Sequence, residues 1–413
     1  MPQKTHSWPD GHWYWNVKTD AQPAAELTHY HGVNRGGLIF TGGQADLDAE
    51  GNVVNPKQLV LQTHNALQFV VDILEDFNSS LLQVVKFVIY FTGDSNDEGI
   101  ILDIIANRLP NDVKPSVSTV CLPELCYPGM RIELEAVAVD DPKTSIEYFR
   151  NDSLPALHPH YSHAVGSKQW VMTSDMSALS CTGDIQAPND VIEQTRIMMS
   201  HLEDVLTLAG VSASDVLKLN VFYQGDGTAE NWEEPASIRA GFFPEPGPAA
   251  TGIAVTGFAD SRLRTQIAVT AAKTSANTKA VEYVWPEGHW DWTTHLPYKH
   301  GNRFGNLIHI GGQVALDVNA KVLEPDDIIA QTHIALSNVA AVLAEFGATM
   351  DDVVKVTTFY QGSASAEELH KNLLIRSNAF TKPGPATSGI PVPHLVYEHM
   401  MIEIEVIATA LTN

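Results

Sequence analysis

The chain has 413 residues, 44% of them hydrophobic and 18% charged, which implies several ordinary domains with filled cores and excludes a disordered protein. Forty-nine acidic side chains against 25 basic ones leave a formal charge of −24, so the surface on average repels phosphate backbones and anionic lipid, and nucleic acid and membranes are poor partners. No run of about 18 apolar residues offers a bilayer span, and the opening MPQKTHSWPDGHWYW lacks the apolar stretch of a signal peptide, so a cytoplasmic location is expected.

In chain order, the first elements are an aromatic segment, WPDGHWYW from Trp8, and the loop THYHGVN containing Tyr30 and His31. A strand follows in LIFTGGQADLDAEGNVV from Leu38, then a helix in LVLQTHNALQFVVDIL from Leu59, a strand in VVKFVIYFTGD from Val84, a further helix, KPSVSTV, and a closing strand in RIELEAVAV from Arg131. The same series returns twice. In the middle of the chain a looser strand match, ALSCTGDIQAP, starts at Ala178; DVIEQTRIMMSHLEDVL from Asp190 is its helix, VLKLNVFYQGD from Val216 its central strand and RTQIAVTAA from Arg264 its last. The third series has WPEGHWDW from Trp285, PYKHGNR with Tyr298 and His300, LIHIGGQVALDVNAKVL from Leu307, IIAQTHIALSNVAAVL from Ile328, VVKVTTFYQGS from Val353 and MIEIEVIAT from Met401.

Self-similarity of this kind identifies a tandem repeat before any local structure is assigned. Leu336, Val339 and Leu343 form one helical stripe, whereas Ile402, Ile404 and Val406 alternate with Glu403 and Glu405 as a two-faced strand. Each copy therefore reads as an α/β (α+β) unit, with boundaries expected at 1–142, 143–276 and 277–413. Three helix-covered sheets around one axis would bury their second faces, giving a single-chain pseudo-trimer with its pockets between copies.

At GGQ, QTH, VVK and the closing IEIE pattern, the sequence resembles the Rid (reactive intermediate deaminase, or YjgF-type) family, three times over and across most of the chain. The resemblance implies chorismate-mutase-like units, ligand sites at the interfaces between them, and hydrolysis of enamines or imines such as 2-aminoacrylate to a keto acid and ammonia. It also implies an arginine before the last strand that clamps the substrate carboxylate. Here that position falls on Val117, Ala250 and Thr387, so the usual clamp is absent and the usual substrate is not carried over.

The second functional position that the resemblance implies is a water-activating glutamate on the last strand. It maps to Glu133 and Glu403, with Gln266 in the middle copy; the alternative is that both glutamates hydrogen-bond across the pseudo-threefold axis. His31 and His300, in register on the pre-strand loop, are the other catalytic candidates, and Tyr30 and Tyr298 beside them are candidate substrate contacts. His64 and His333 on the helices are expected to pair across an interface. Arg239 and Arg376 sit in register and could supply the missing anion clamp from another direction, or form helix-end salt bridges. Thr251, Gly252, Thr387, Ser388 and Gly389, with Ser118 in the first copy, are placed to contact an anion. Trp13 and Trp290 could wall a ligand pocket or simply staple copies together.

No nucleotide motif points to an organic cofactor, and apart from H-Y-H at His29–His31 and H-P-H at His158–His160 the histidines lack a metal-binding spacing, so neither is expected. Cys121, Cys126 and Cys181 read as ordinary thiols. The leading expectation is a cofactor-independent hydrolase or deaminase acting on a small molecule at a C–N bond, working as a monomeric pseudo-trimer with further self-association left open. A non-catalytic metabolite-binding protein and a tautomerase or lyase of an enolizable substrate remain alternatives. Ribonuclease activity, which attaches to some family members, fits the acidic surface poorly.

Overall fold

The computed structural model describes residues 4–13, 27–167, 169–274 and 280–409. Its helices come in three pairs: α1 (Leu59–Asp76) and α2 (Ser95–Ala106), α3 (Val191–Leu208) and α4 (Ala229–Ala240), α5 (Ile328–Glu345) and α6 (Ala366–Asn378). Asp190 and Asp327 cap α3 and α5 by accepting hydrogen bonds from free backbone N–H groups of the first turn. The buried stripe of each long helix lies on its own sheet: Ala66, Leu67, Val70 and Leu74 in α1, Leu336, Val339 and Leu343 in α5. α5 is long and apolar enough by composition to cross a membrane, contrary to the reading of the bare sequence, but its apolar face is spent on the third core.

Each pair covers one mixed sheet. In the first, the order from edge to edge is Thr5–Ser7, Gly32–Arg35, Leu38–Thr41, Ile132–Val139, Val84–Phe91 and Ser116–Cys121. The third sheet repeats it with Glu282–Val284, Gly301–Phe304, Leu307–Gln313, Ile402–Thr409, Val353–Gln361 and Ala386–Val392. Only the last two strands of each run parallel, because the intervening short helix carries the chain back to the same end. The closing strand is central, and its register matches across copies: Glu133 lies opposite Tyr90, Gln266 opposite Phe222 and Glu403 opposite Phe359.

The middle sheet corrects one expectation. Its second strand is Trp170–Thr173, not the segment from Ala178, so Ser174 and Asp175 stand where the other copies have Gly42–Gly43 and Gly311–Gly312. The same bond fixes the correspondence, with the amides of Gly42, Ser174 and Gly311 donating to the carbonyls of His31, His163 and His300 at 2.7, 2.8 and 3.0 Å. The Ala178 segment is the turn after it, its Leu179–Ile185 bridge matching Leu47–Val53 and Leu316–Val322.

Two recurrent motifs acquire a structural meaning. In QT(H/R) the glutamine is the buried partner: Gln62 donates to the carbonyls of Asn55 and Gly129 at 2.7 and 2.8 Å and accepts from the Arg131 amide at 2.6 Å. Gln194 and Gln331 make the same staple between helix and closing strand. His64 and His333 are exposed on the helix surface, so the expected interface pairing is corrected.

The copies close into a ring through one repeated hydrogen bond. The Tyr30 amide donates to the Pro385 carbonyl at 3.1 Å, Ser162 to Pro115 at 3.1 Å, and Lys299 to Pro248 at 3.2 Å, linking copy one to three, two to one, and three to two.

Candidate active site

The lysines of VVK and its middle-copy counterpart VLK point toward the common axis. Lys218 and Lys355 each meet a closing-strand carboxylate from a neighbouring copy, Glu405 at 2.8 Å and Glu135 at 3.0 Å, and donate to Thr251 Oγ1 and Ser388 Oγ at 2.8 and 2.7 Å. Ala268 occupies the corresponding closing-strand position in copy two, and Lys86 instead donates to the Thr173 carbonyl at 2.8 Å. Thus Thr251 and Ser388, expected to hold an anion, have their hydroxyls engaged by axial ammonium groups.

Two residues before Glu135 and Glu405, on the same face of the closing strand, Glu133 and Glu403 line two clefts between copies. The cleft joining copies one and three is lined by Trp13, Gly43, Cys126, Tyr127, Glu133, Leu369, Leu373, Arg376 and the Thr387–Gly389 segment, around a cavity of about 20 Å³. Its counterpart between copies three and two carries Trp290, Gly312, Glu403, Arg239, Thr251, Gly252 and Tyr298 around about 60 Å³. Burial first, and then the charge of Glu135 or Glu405, pushes Glu133 and Glu403 up to about 8, against the opposing pull of Lys355 and Lys218. Each carboxyl is therefore mostly protonated at neutral pH.

Glycine is required opposite them. A β-carbon built on Gly43 or Gly312 would overlap the carboxyl of Glu133 or Glu403. The second glycine of the GGQ motif is thus space for the glutamate, and the first is space for the neighbouring copy's backbone at Thr387 or Ala250, which motif spacing alone did not reveal.

Arg239 and Arg376 form no helix-end salt bridge. Arg376 is 0% exposed and Arg239 4%, and both guanidinium groups emerge from α4 and α6 into the clefts that hold the glutamates. Arg376 donates to Asn372 Oδ1 at 2.8 Å and to Thr387 Oγ1 at 3.2 Å, while its second terminal nitrogen is without a hydrogen-bond partner. Arg239 has Nε and Nη1 buried and unsatisfied, beside the Tyr223 ring at 6.0 Å. Burial brings Arg376 down to about 10 and lowers Arg239 as well. A desolvated guanidinium with spare donors is an incomplete anion site.

His31 and His300 lie behind the tryptophans and line neither cleft. Each ring meets the carbonyl of the tryptophan in front of it, His31 to Trp13 at 2.9 Å and His300 to Trp290 at 3.0 Å, and burial takes both down to about 3. The geometry places them as supports for the tryptophan segment. Tyr30 packs edge-on against Trp8 and His6, away from the clefts, and is not the counterpart of Tyr298. The equivalence of His31 and His300 makes His29 that counterpart, and His29 is buried under the influence of the Arg376 charge as Tyr298 is under that of Arg239. The adjoining Tyr14 and Trp15 lie outside the described residues. Cys126, whose thiol donates to the Gly389 carbonyl at 3.0 Å and lies 3.5 Å from Glu133 Oε2, was unmarked by any sequence pattern.

The third interface, between copies two and one, is built differently. Asp175 occupies the glycine position and accepts from Ser118 Oγ at 2.9 Å, the Thr119 amide at 2.8 Å and Gln266 Nε2 at 3.2 Å. Ser118, a candidate ligand contact, is thereby engaged within the protein. Aligning the starts of the short helices puts Ile105 where α4 and α6 carry their arginines, so this interface has neither guanidinium nor closing-strand glutamate.

A family model described as Endoribonuclease L-PSP matches residues 19–140, 152–273 and 292–410. The chain belongs to this family, the Rid family, as three tandem units. Among its relatives are a RutC family protein of Pyrococcus abyssi, 31% identical over 112 residues covering 27% of this chain and 85% of that one, and the 2-iminobutanoate/2-iminopropanoate deaminase of Escherichia coli K12, 34% identical over 116 residues covering 27% and 86%. A chorismatase crystal structure superimposes with a TM-score of 0.55 over 79% of this chain and 93% of its own, at 11% identity, and shares the fold. About a quarter of this chain thus matches most of each such relative, and the clefts described here are interfaces between the three family-matched units.

Proposed function

We propose that this triple Rid protein hydrolyses the C–N double bond of a small carboxylate-bearing imine, reached directly or from its enamine tautomer, at the copy-one/copy-three and copy-three/copy-two clefts. The observation that carries the reading is the recurrence, in both clefts, of a buried arginine with unsatisfied donors facing a buried glutamate raised to about 8. Relatives bearing the name 2-iminobutanoate/2-iminopropanoate deaminase support the substrate class.

In this scheme the guanidinium holds the substrate carboxylate, taking the place of the clamp missing at Ala250 and Thr387. The protonated glutamate donates its proton to the imine nitrogen, and the resulting iminium carbon accepts a water whose proton returns to the same carboxylate. The carbinolamine then collapses as the glutamate protonates the departing nitrogen and the hydroxyl returns its proton to the same carboxylate, leaving a keto acid and ammonia. One carboxyl group with a value near the working pH can perform both proton transfers.

The test is ammonia release from freshly generated 2-iminopropanoate, comparing the wild type with Glu133→Gln/Glu403→Gln. Loss of about a hundredfold or more in the catalysed rate is expected from removing a general acid–base; an undiminished rate excludes the mechanism.

A further inference from the structure

The two glutamate–arginine clefts are unequal in one consistent direction. Where the copy-one/copy-three cleft has Leu369 and Leu373 on α6, the copy-three/copy-two cleft has Trp232 and Ala236 on α4. The first exchange adds an aromatic wall and the second removes side-chain volume from the floor. Tyr223, Trp232, Trp290, Trp292, Tyr298 and Tyr397 together enclose this cleft. Trp232 meets Tyr397 edge-on at 5.9 Å and Trp290 meets Trp292 edge-on at 5.0 Å, so two aromatic pairs wall the cleft.

The polar atoms of this cleft are equally specific. Arg239 Nε and Nη1 and Trp232 Nε1 are buried without a well-formed hydrogen bond, and Tyr298 Oη lies against the Arg239 guanidinium, each shifting the other's ionisation. Buried donors left open in a native fold mark a place where acceptors arrive from outside. The two open nitrogens lie on different edges of one guanidinium, so each suits a single oxygen of an anion such as a carboxylate; the indole N–H and the phenol suit an oxygen or nitrogen set farther along the same ligand.

We propose that the copy-three/copy-two cleft is specific for a carboxylate carrying a planar ring, with the carboxylate on Arg239 and the ring between the Trp232–Tyr397 and Trp290–Trp292 walls. The narrower copy-one/copy-three cleft takes the short, unbranched carboxylates. Fusion of the units permits this division, because a homotrimer would have to change all its clefts together. The inference rests on the reading that both arginines hold substrate carboxylates, and it assigns different substrates to them.

The test uses pyruvate and phenylpyruvate as probes, titrated into the full chain by calorimetry, with tryptophan fluorescence as a second signal. Phenylpyruvate is expected to occupy one site, to quench fluorescence, and to lose tenfold or more in affinity in Arg239→Met but not in Arg376→Met. Ala236→Leu, which refills the floor without touching a polar group, is expected to weaken phenylpyruvate to a similar degree, and thermal melting checks that each variant is folded. Phenylpyruvate binding that depends on Arg376, or that survives Ala236→Leu and Arg239→Met together, overturns the assignment. Pyruvate binding that needs Arg376, with phenylpyruvate bound nowhere, overturns the ring specificity alone. Failure of both acids to bind rejects the carboxylate reading and this inference with it.

Discussion

Arg376 reaches from α6 to the hydroxyl of Thr387, 3.2 Å away, and so brings a guanidinium to the strand position where a Rid unit would carry its own. The arginine has moved from strand to helix in sequence while remaining at the cleft in space. Arg239 does the same beside Ala250. Because neither guanidinium has a carboxylate partner within the fold, removing one relieves a desolvated charge. Arg376→Met and Arg239→Met are therefore expected to melt no lower than the wild type while each weakens small-carboxylate binding at its cleft by about tenfold to a hundredfold, the worth of a charge-assisted hydrogen bond. Thermal melts with and without ligand check both halves.

The glutamates predict a pH dependence of stability. Glu133 and Glu403 keep their protons up to about 8 in the folded chain, whereas in the unfolded chain they release them near 4.5, so between these values the folded state holds more protons and stability falls as pH rises. His6, His31, His300 and His309, lowered to about 3 or 4 by burial, act in the opposite sense below 6.5, where the unfolded chain binds the extra protons. The window from about pH 6.5 to 8 isolates the glutamates from these histidines. In urea titrations across it, Glu133→Gln/Glu403→Gln should flatten a decline that the wild type shows; equal slopes would mean the carboxyls are ionised throughout.

The axial lysines should not be equivalent. Lys218 and Lys355 each hold a buried carboxylate at 2.8 and 3.0 Å, and removing one partner leaves the other charge buried, a loss of about 3–5 kcal/mol. Lys86 has Ala268 in the place of that carboxylate, and burial lowers its ammonium to about 8. Lys86→Met should accordingly cost less than about 1 kcal/mol, since it removes a charge with no contacting counterion. Denaturant unfolding of the three methionine variants gives the ranking.

Much of this arrangement was legible before the structure. The repeat follows from self-similarity and the two-faced closing strand from hydrophobic period, and that period sets Glu133 and Glu403 on the face away from their own helices. What escaped were contacts between elements and the true register of the copies. Arg376 and Thr387 are eleven residues apart, and nothing in the linear pattern says that α6 leans its arginine back onto that strand. TGD in the middle copy's turn imitates the glycine pair, while the true counterpart, Ser174–Asp175, has no glycine. Tyr30 and Tyr298 look paired as letters, but the bonded register makes His29 the partner of Tyr298.

Asp175 and Gln266 supply the sharpest test, since they are two halves of one exchange. In two interfaces a glycine makes room for a glutamate; in the third an aspartate fills the glycine position and the glutamate has become an amide that donates to it at 3.2 Å. Gln266→Glu alone would set a second carboxylate against Asp175, which burial already holds up at about 6. Asp175→Gly alone would strip the acceptor from Ser118 Oγ and the Thr119 amide. Each single change should cost about 1–3 kcal/mol. Together they recreate the Gly–Glu arrangement of the other clefts, so the double variant should be more stable than the sum of the two losses, with a coupling above about 1 kcal/mol. Additive losses in a denaturant-based cycle would show the two positions to be independent. The restored cleft should still bind no carboxylate, because Ile105 stands at the arginine position; adding Ile105→Arg to the double variant is the change expected to bring pyruvate binding to a third site, measured as an increase in calorimetric stoichiometry.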